Sequence, residues 1–277
     1  LVKRLLVITL VLLVGYFVAL PLWRSWRANA LEGQGIEATR EERWPEAVRL
    51  FEKAVDYQDD SSQLWYNLGL ARLRVNDLEG AAAAFKKELS INFNEPEGLA
   101  FLGQTQLQLG DYAGAEDSAE GVLRLHPNNG VAFFVLGEVY FQTKRMTNAI
   151  DAYQQVLRYD EKDAAGARYN LGRCYAAIGR YSEARNELQE AIRLKPSMME
   201  SRLLLGRVLT ALGDFSGADE QQRALRAMDR RAAVELLEYI QRAANVSGVK
   251  TSNTFNTTFS SQPNLQDSSE KKAATVP

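Results

Sequence analysis

A period of 34 residues constrains this chain more than any other feature of its sequence. The stretch WYNLGLARLRVNDLEGAAAAF begins at Trp65. In register with it, FLGQTQLQLGDYAGAEDSA runs from Phe101 and FVLGEVYFQTKRMTNAIDAY from Phe134. NLGRCYAAIGRYSEARNEL follows from Asn170, and LLGRVLTALGDFSGADEQ from Leu204. A weaker copy, GQGIEATREERWPEAVRLF, precedes them from Gly33. The copies span 28–61, 62–95, 96–129, 130–164, 165–198 and 199–232, with one extra residue near Ala164. One place in every copy holds glycine (Gly35, Gly69, Gly103, Gly137, Gly172, Gly206), and another holds alanine (Ala47, Ala81, Ala115, Ala149, Ala184, Ala218). Apolar residues recur at helical spacing on two segments per copy. The turns GDY, GRY and GDF place Gly110, Gly179 and Gly213 where a first helix should end. Trp65, Leu68, Phe85 and Leu89 in the second copy, and Tyr175, Tyr181, Leu188 and Ile192 in the fifth, are expected to fill the core. One such helical hairpin cannot bury both its faces, so neighbours must stack.

These copies resemble the tetratricopeptide repeat family, whose unit is a 34-residue helix-turn-helix. The family's Gly at position 8 and Ala at position 20 are met in all six copies. Leu at position 7 is met in five, Gln34 being the exception, and Pro at position 32 only by Pro127 and Pro196. The resemblance covers about three quarters of the chain. It implies an all-α fold, a superhelical solenoid of about six repeats over 28–232. After the sixth copy, Asp229 is placed to cap a further helix through about Ala244, with Val234, Leu237, Ile240 and Ala244 on one apolar stripe. A terminal helix of that kind, 229–244, suits the end of a repeat array. Residues 245–277 are rich in Ser, Thr and Asn and lack periodicity, which predicts a disordered tail. Asn245 and Asn256 match glycosylation sequons, which such a composition produces by chance.

At the other end, residues 5–23 carry no charge. As a helix they span roughly 28 Å, close to the hydrocarbon thickness of a bilayer. Residues 1–27 therefore read as one transmembrane anchor, with Tyr16 and Trp23 at the interfaces. A cleaved signal peptide is the alternative, since Ala28-Asn29-Ala30 fits a small-x-small site. Against it, the apolar run is long, and Arg24 and Arg27 lie between that run and the site. Lys3 and Arg4 nearly balance Arg24 and Arg27, and the amino terminus tips the count toward N-in. The repeats are then extracytoplasmic, periplasmic in a bacterium; Leu1 fits a bacterial reading frame with a non-standard start. The small pair Gly15 and Ala19 is compatible with a weak homo-oligomer.

Composition excludes several chemistries. The 33 basic and 35 acidic residues leave a net charge of −2, without the basic excess of a nucleic-acid binder. One histidine and one cysteine cannot make a His/Cys zinc site, and no cofactor motif is present. His126 falls at position 31, beside Pro127, Asn128 and Asn129, and reads as a turn residue near a helix C-terminus. Cys174, at position 10, reads as a small buried hydrophobe. No phosphate loop, nucleophile elbow or HExxH is found, so no catalytic residue is nominated and no enzyme is expected.

The resemblance also implies where a partner binds. Family members hold a peptide or helix on the face lined by first helices. Carried over, those positions give Tyr66, Asn67, Leu70 and Arg74 in the second copy and Phe101, Gln104 and Gln108 in the third. They give Phe134, Val135, Glu138, Phe141 and Gln142 in the fourth, Tyr169, Asn170 and Arg173 in the fifth, and Leu203 and Arg207 in the sixth. Rings interleaved with amides suit an extended peptide, and the fourth copy is expected to matter most. Members that clamp a chaperone's terminal carboxylate use Lys, Asn and Arg at set positions. Here those positions hold Glu32, Ile36, Asn67, Glu97 and Phe101, or Phe134, Glu138, Asn170, Glu200 and Leu204, so that subtype is not expected. The expected function is a membrane-anchored interaction scaffold supporting an envelope complex; a soluble secreted assembly factor is the alternative.

Overall fold

A computed structural model of the protein describes residues 2–93, 95–160 and 164–248, with side chains from residue 15. Thirteen α-helices and no strand occur among the described residues. The chain divides into two compact units, 1–178 and 179–277.

In the first unit, α1 (Val2–Arg40) packs on α2 (Trp44–Tyr57). Three further hairpins follow: α3 (Ser62–Arg74) with α4 (Leu78–Ile91), α5 (Pro96–Leu109) with α6 (Tyr112–Leu125), and α7 (Gly130–Gln142) with α8 (Met146–Tyr159). Successive hairpins stack, and α9 (Ala164–Ala177) packs on α8. In three hairpins the glycine at position 8 makes room for an aromatic ring. A Cβ at Gly35, Gly69 or Gly137 would fall 2.6 Å from a ring atom of Phe51, Phe85 or Tyr153 respectively. Each ring comes from the hairpin's second helix and is 0–1% exposed. The third repeat is different. Ala119 takes the ring's place, and the buried Ser118 donates a hydrogen bond to Gln106 at 2.7 Å. Gln106 in turn donates to Asp111 at 3.1 Å, so a polar clip replaces the aromatic plug.

The turn between helices requires a left-handed residue at one place in every copy. Gly110, Gly179 and Gly213 have φ of +76° to +80°. Glu42, Asn76 and Lys144 occupy the same place in the other copies at φ 59–62°, where a side chain is strained. In three copies the next residue is an aspartate that caps the second helix. Asp77, Asp111 and Asp214 accept from the backbone N–H three residues on, at 2.9–3.0 Å.

The second unit holds α10 (Tyr181–Leu194), α11 (Met199–Ala211), α12 (Phe215–Arg226) and α13 (Arg230–Ser247). Asp229 caps α13 through the N–H groups of Arg231 and Ala232. The helix runs past the expected end at Ala244, because Asn245, Val246 and Ser247 continue it until Gly248 turns left-handed at φ 67°. The rest of the expected tail lies outside the described residues. Gly206 accommodates Leu236 of α13, not a residue of its own hairpin. The terminal helix thus supplies the plug that α12 lacks. Tyr181, expected in the core, is 37% exposed.

At the N-terminus the expected boundary between residues 27 and 28 falls inside α1. Packing begins earlier. Trp23 makes an edge contact with Tyr57 at 5.6 Å. Arg24 donates to the carbonyls of Asp56 and Tyr57 at 3.1 Å, satisfying the C-terminal end of α2. Among the described residues no helix is long and apolar enough to cross a membrane. The side chains of 1–14, most of the uncharged run, lie outside the described residues.

Candidate binding groove

A surface cavity of about 510 Å³ opens across repeats one to three. Its floor is apolar: Ile36 of α1, Phe51 of α2, Leu70 of α3 and Phe101 of α5. Thr39, Asn67, Arg74 and Gln108 bring polar groups to the same cavity. Arg74 lies over the Trp44 ring at 5.3 Å. Asn67 donates to Glu32 and accepts from Gln63, both at 3.1 Å, which orients its amide. Phe101 is held by stacking on Phe85 at 5.7 Å and by an edge contact with Tyr66 at 5.9 Å. An apolar floor with a few oriented polar groups is what an extended peptide needs.

Of the residues carried over by resemblance, Asn67, Leu70, Arg74, Phe101 and Gln108 meet in this groove, and Tyr66 buttresses it. Gln104 is half-buried on α5. The carry-over began at the second copy and so left out Ile36 and Thr39, which hold the equivalent places in the first, and it missed Trp44. Trp44 sits on a second helix, which family positions for first helices do not reach, but a tryptophan at the turn was a visible signal.

Glu138, Phe141, Tyr169, Asn170 and Arg173 come together as well, in a different way. The Arg173 guanidinium donates to Glu138 and to Asn170, each at 2.8 Å. It lies over the Phe141 ring at 4.2 Å and near Tyr169 at 5.8 Å. Glu138 also accepts from the buried Tyr153 hydroxyl at 2.6 Å. Burial first, and then the Glu138 carboxylate, push the Tyr153 phenol well above its ordinary range. Phe134 packs edge-on against Tyr153 at 6.1 Å. In this region rings and charges are turned toward one another. Arg207 belongs to the second unit, where it pairs with Glu235 of α13 and lies 5.7 Å from the Tyr239 ring.

His126 and Cys174 sit in plain structural roles. His126 is the exposed C-cap of α6, its N–H bonded to the Val122 carbonyl at 2.7 Å. Cys174 is buried, and burial pushes its thiol up to about 12, far from a nucleophilic thiolate. Among the described residues no three His, Cys, Asp or Glu side chains converge as metal ligands.

A tetratricopeptide repeat family model matches residues 32–94, 102–164, 148–197 and 169–233, well over half of the chain. No curated protein matches significantly. Several solved structures share the fold. The Cut9–Hcn1 hetero-tetramer of the APC/C aligns with 20% identity and a TM-score of 0.64, over 78% of this chain and 42% of that one. The present chain therefore spans about two fifths of that relative. Pseudomonas aeruginosa PilF aligns with 18% identity and a TM-score of 0.64, over 80% and 99% of the two chains. PilW, described as a widely conserved type IV pilus biogenesis factor, aligns with 18% identity and a TM-score of 0.64, over 72% and 92%.

Proposed function

This chain belongs to the tetratricopeptide repeat family, and we propose that it is a membrane-anchored scaffold that holds a partner peptide in the groove of repeats one to three. The observation that carries this reading is the groove itself, an apolar floor beside the oriented Asn67 amide and Arg74. Repeats four and five are a weaker candidate than the sequence suggested, because their rings and charges already satisfy one another.

A membrane anchor in residues 1–27 is supported by the uncharged run and by the exposure of Tyr16, Phe17, Leu22, Trp23 and Trp26. Ala28, in the small-x-small site, is fully buried within α1, and Leu31 just beyond is buried as well. Cleavage there would cut a packed helix, which favours the uncleaved anchor over the secreted alternative. An extracytoplasmic repeat domain serving an envelope assembly completes the proposal.

A photo-crosslinking side chain at Leu70 tests the groove, with the exposed Lys86 on α4 as control. Crosslinks to one partner from Leu70 and none from Lys86 are expected. Equal crosslinking from both positions overturns the groove assignment. Release of the full chain from membranes by alkaline carbonate overturns the anchor.

A further inference from the structure

Beside the groove lies a smaller cavity of about 200 Å³, lined by Ser62, Gln63 and Tyr66 of α3, Glu88 of α4, and Glu95, Glu97 and Gly98 at the start of α5. Tyr66 touches Phe101, so one pair of rings separates it from the groove. Among the described residues three carboxylates line it and no Lys or Arg does. Glu88 is 2% exposed, and its Oε2 is buried without a hydrogen-bond partner. Such a group is costly unless it meets a charge or a donor.

Repeat arithmetic shows how unusual this is. The place of Glu88 in its copy is held elsewhere by Ala54, Val122, Val156, Ala191 and Leu225, all buried apolar residues. A second exception accompanies it. The place of Gly98 holds Leu64, Ala132, Ala167 and Ser201 in other copies. A Cβ at residue 98 would stand 2.1 Å from Glu88 Oε2, so the glycine makes room for the carboxyl. Two departures from the repeat thus cooperate to place one unpaired carboxyl in an acidic pocket. Elsewhere in this unit, half-buried carboxylates have partners: Glu138 has Arg173, and Glu116 has Arg145.

We propose that this pocket receives the ammonium or guanidinium end of a basic side chain on the peptide held in the neighbouring groove. The inference rests on the groove reading and gives it a specificity. An organic cation fits better than a metal ion, because the carboxylates do not converge at ligand spacing. The electrostatics agree. Burial, and then Glu95 and Glu97, push the Glu88 carboxyl up to about 7. Tyr66, on the facing helix, is raised by burial and by Glu97, Glu88 and Glu95. A bound cation would hold Glu88 ionised and release its proton near neutral pH.

The test is selection of random heptapeptides on the full-length protein, with Glu88→Gln in parallel and thermal melts confirming that both are folded. Enrichment of Lys or Arg at one position on the wild type, lost on E88Q, is expected. For an enriched peptide, affinity should fall up to about tenfold from pH 8 to pH 6 on the wild type and not on E88Q. Peptides recovered without basic preference overturn this inference and leave the groove reading standing. The same preference on E88Q also overturns it, as does displacement of the peptide by millimolar Ca²⁺ or Mg²⁺ alone, which would make the pocket a metal site. Recovery of no peptide by the folded wild type ends both.

Discussion

The face made by first helices is open over repeats one to three and closed on itself over repeats four and five, although the same repeat positions line both. Arg74 lies over Trp44 with a 510 Å³ cavity beside it. Arg173 lies over Phe141, and its charge is spent on Glu138. One acid on the neighbouring helix, Glu138, converts an open surface into a packing network. The comparison teaches that a family position says which face a side chain is on, and that its neighbours decide whether it is free to bind.

The largest expected effect comes from removing the plug beneath the closed region. Gly137→Leu drives a side chain into Tyr153, whose ring atoms already lie 2.6 Å from where a Cβ would be. It should cost about 3 kcal/mol or more and release the Glu138 network, as read by melting temperature and near-UV circular dichroism. Gly103→Ala, facing Ser118 Cβ at 3.3 Å, should cost under about 1 kcal/mol. Equal costs would show that the aromatic plugs do not distinguish the repeats.

Removing the acids sharpens the contrast. Glu138→Ala leaves the buried Tyr153 hydroxyl without its acceptor and Arg173 with Asn170 but no carboxylate, and should cost about 2 kcal/mol in denaturant melts. Glu32→Ala, on the open side, removes one bond to Asn67 and should cost under about 0.5 kcal/mol. A reversed order would mean that the open groove, not the network, is the stressed part of the unit.

Glu88 makes the open side pH-sensitive. Its carboxyl is raised from 4.5 to about 7, so between these values the folded chain keeps a proton that the unfolded chain has lost. Stability should therefore fall as pH rises through that window, by on the order of 1–3 kcal/mol, and level off above it. Glu88→Gln should flatten this slope and stabilise the protein at pH 8. A wild-type melting temperature flat from pH 5 to pH 8 would contradict the burial of an unpaired carboxyl.

The smallest effect lies in the turns. Lys144→Gly should gain up to about 1 kcal/mol, since a left-handed residue at φ 61° is better served by glycine. The gain should match for Glu42→Gly on the open side, because the strain is local. Unequal gains would tie the turns to the difference between the two regions.

The repeat register, the helix pairs, the recurring glycine at position 8 and the turn at Gly110, Gly179 and Gly213 were legible in the sequence by itself. So was the buried alanine of each second helix: Ala47, Ala81, Ala115, Ala149, Ala184 and Ala218 are all 0% exposed. These features are local or recur every 34 residues, so several copies testify to each. Only the tertiary structure decided that Arg173 reaches Glu138, that Leu236 of α13 fills the space at Gly206, and that Trp44 and Thr39 border the groove. It also decided that Glu88 is buried beside Gly98 and that three ordinary residues take the left-handed turn. The physical reason is that a repeat pattern records what every copy shares. Charge pairing and open volume depend on the few residues at which neighbouring copies differ, and those meet only when the hairpins are stacked.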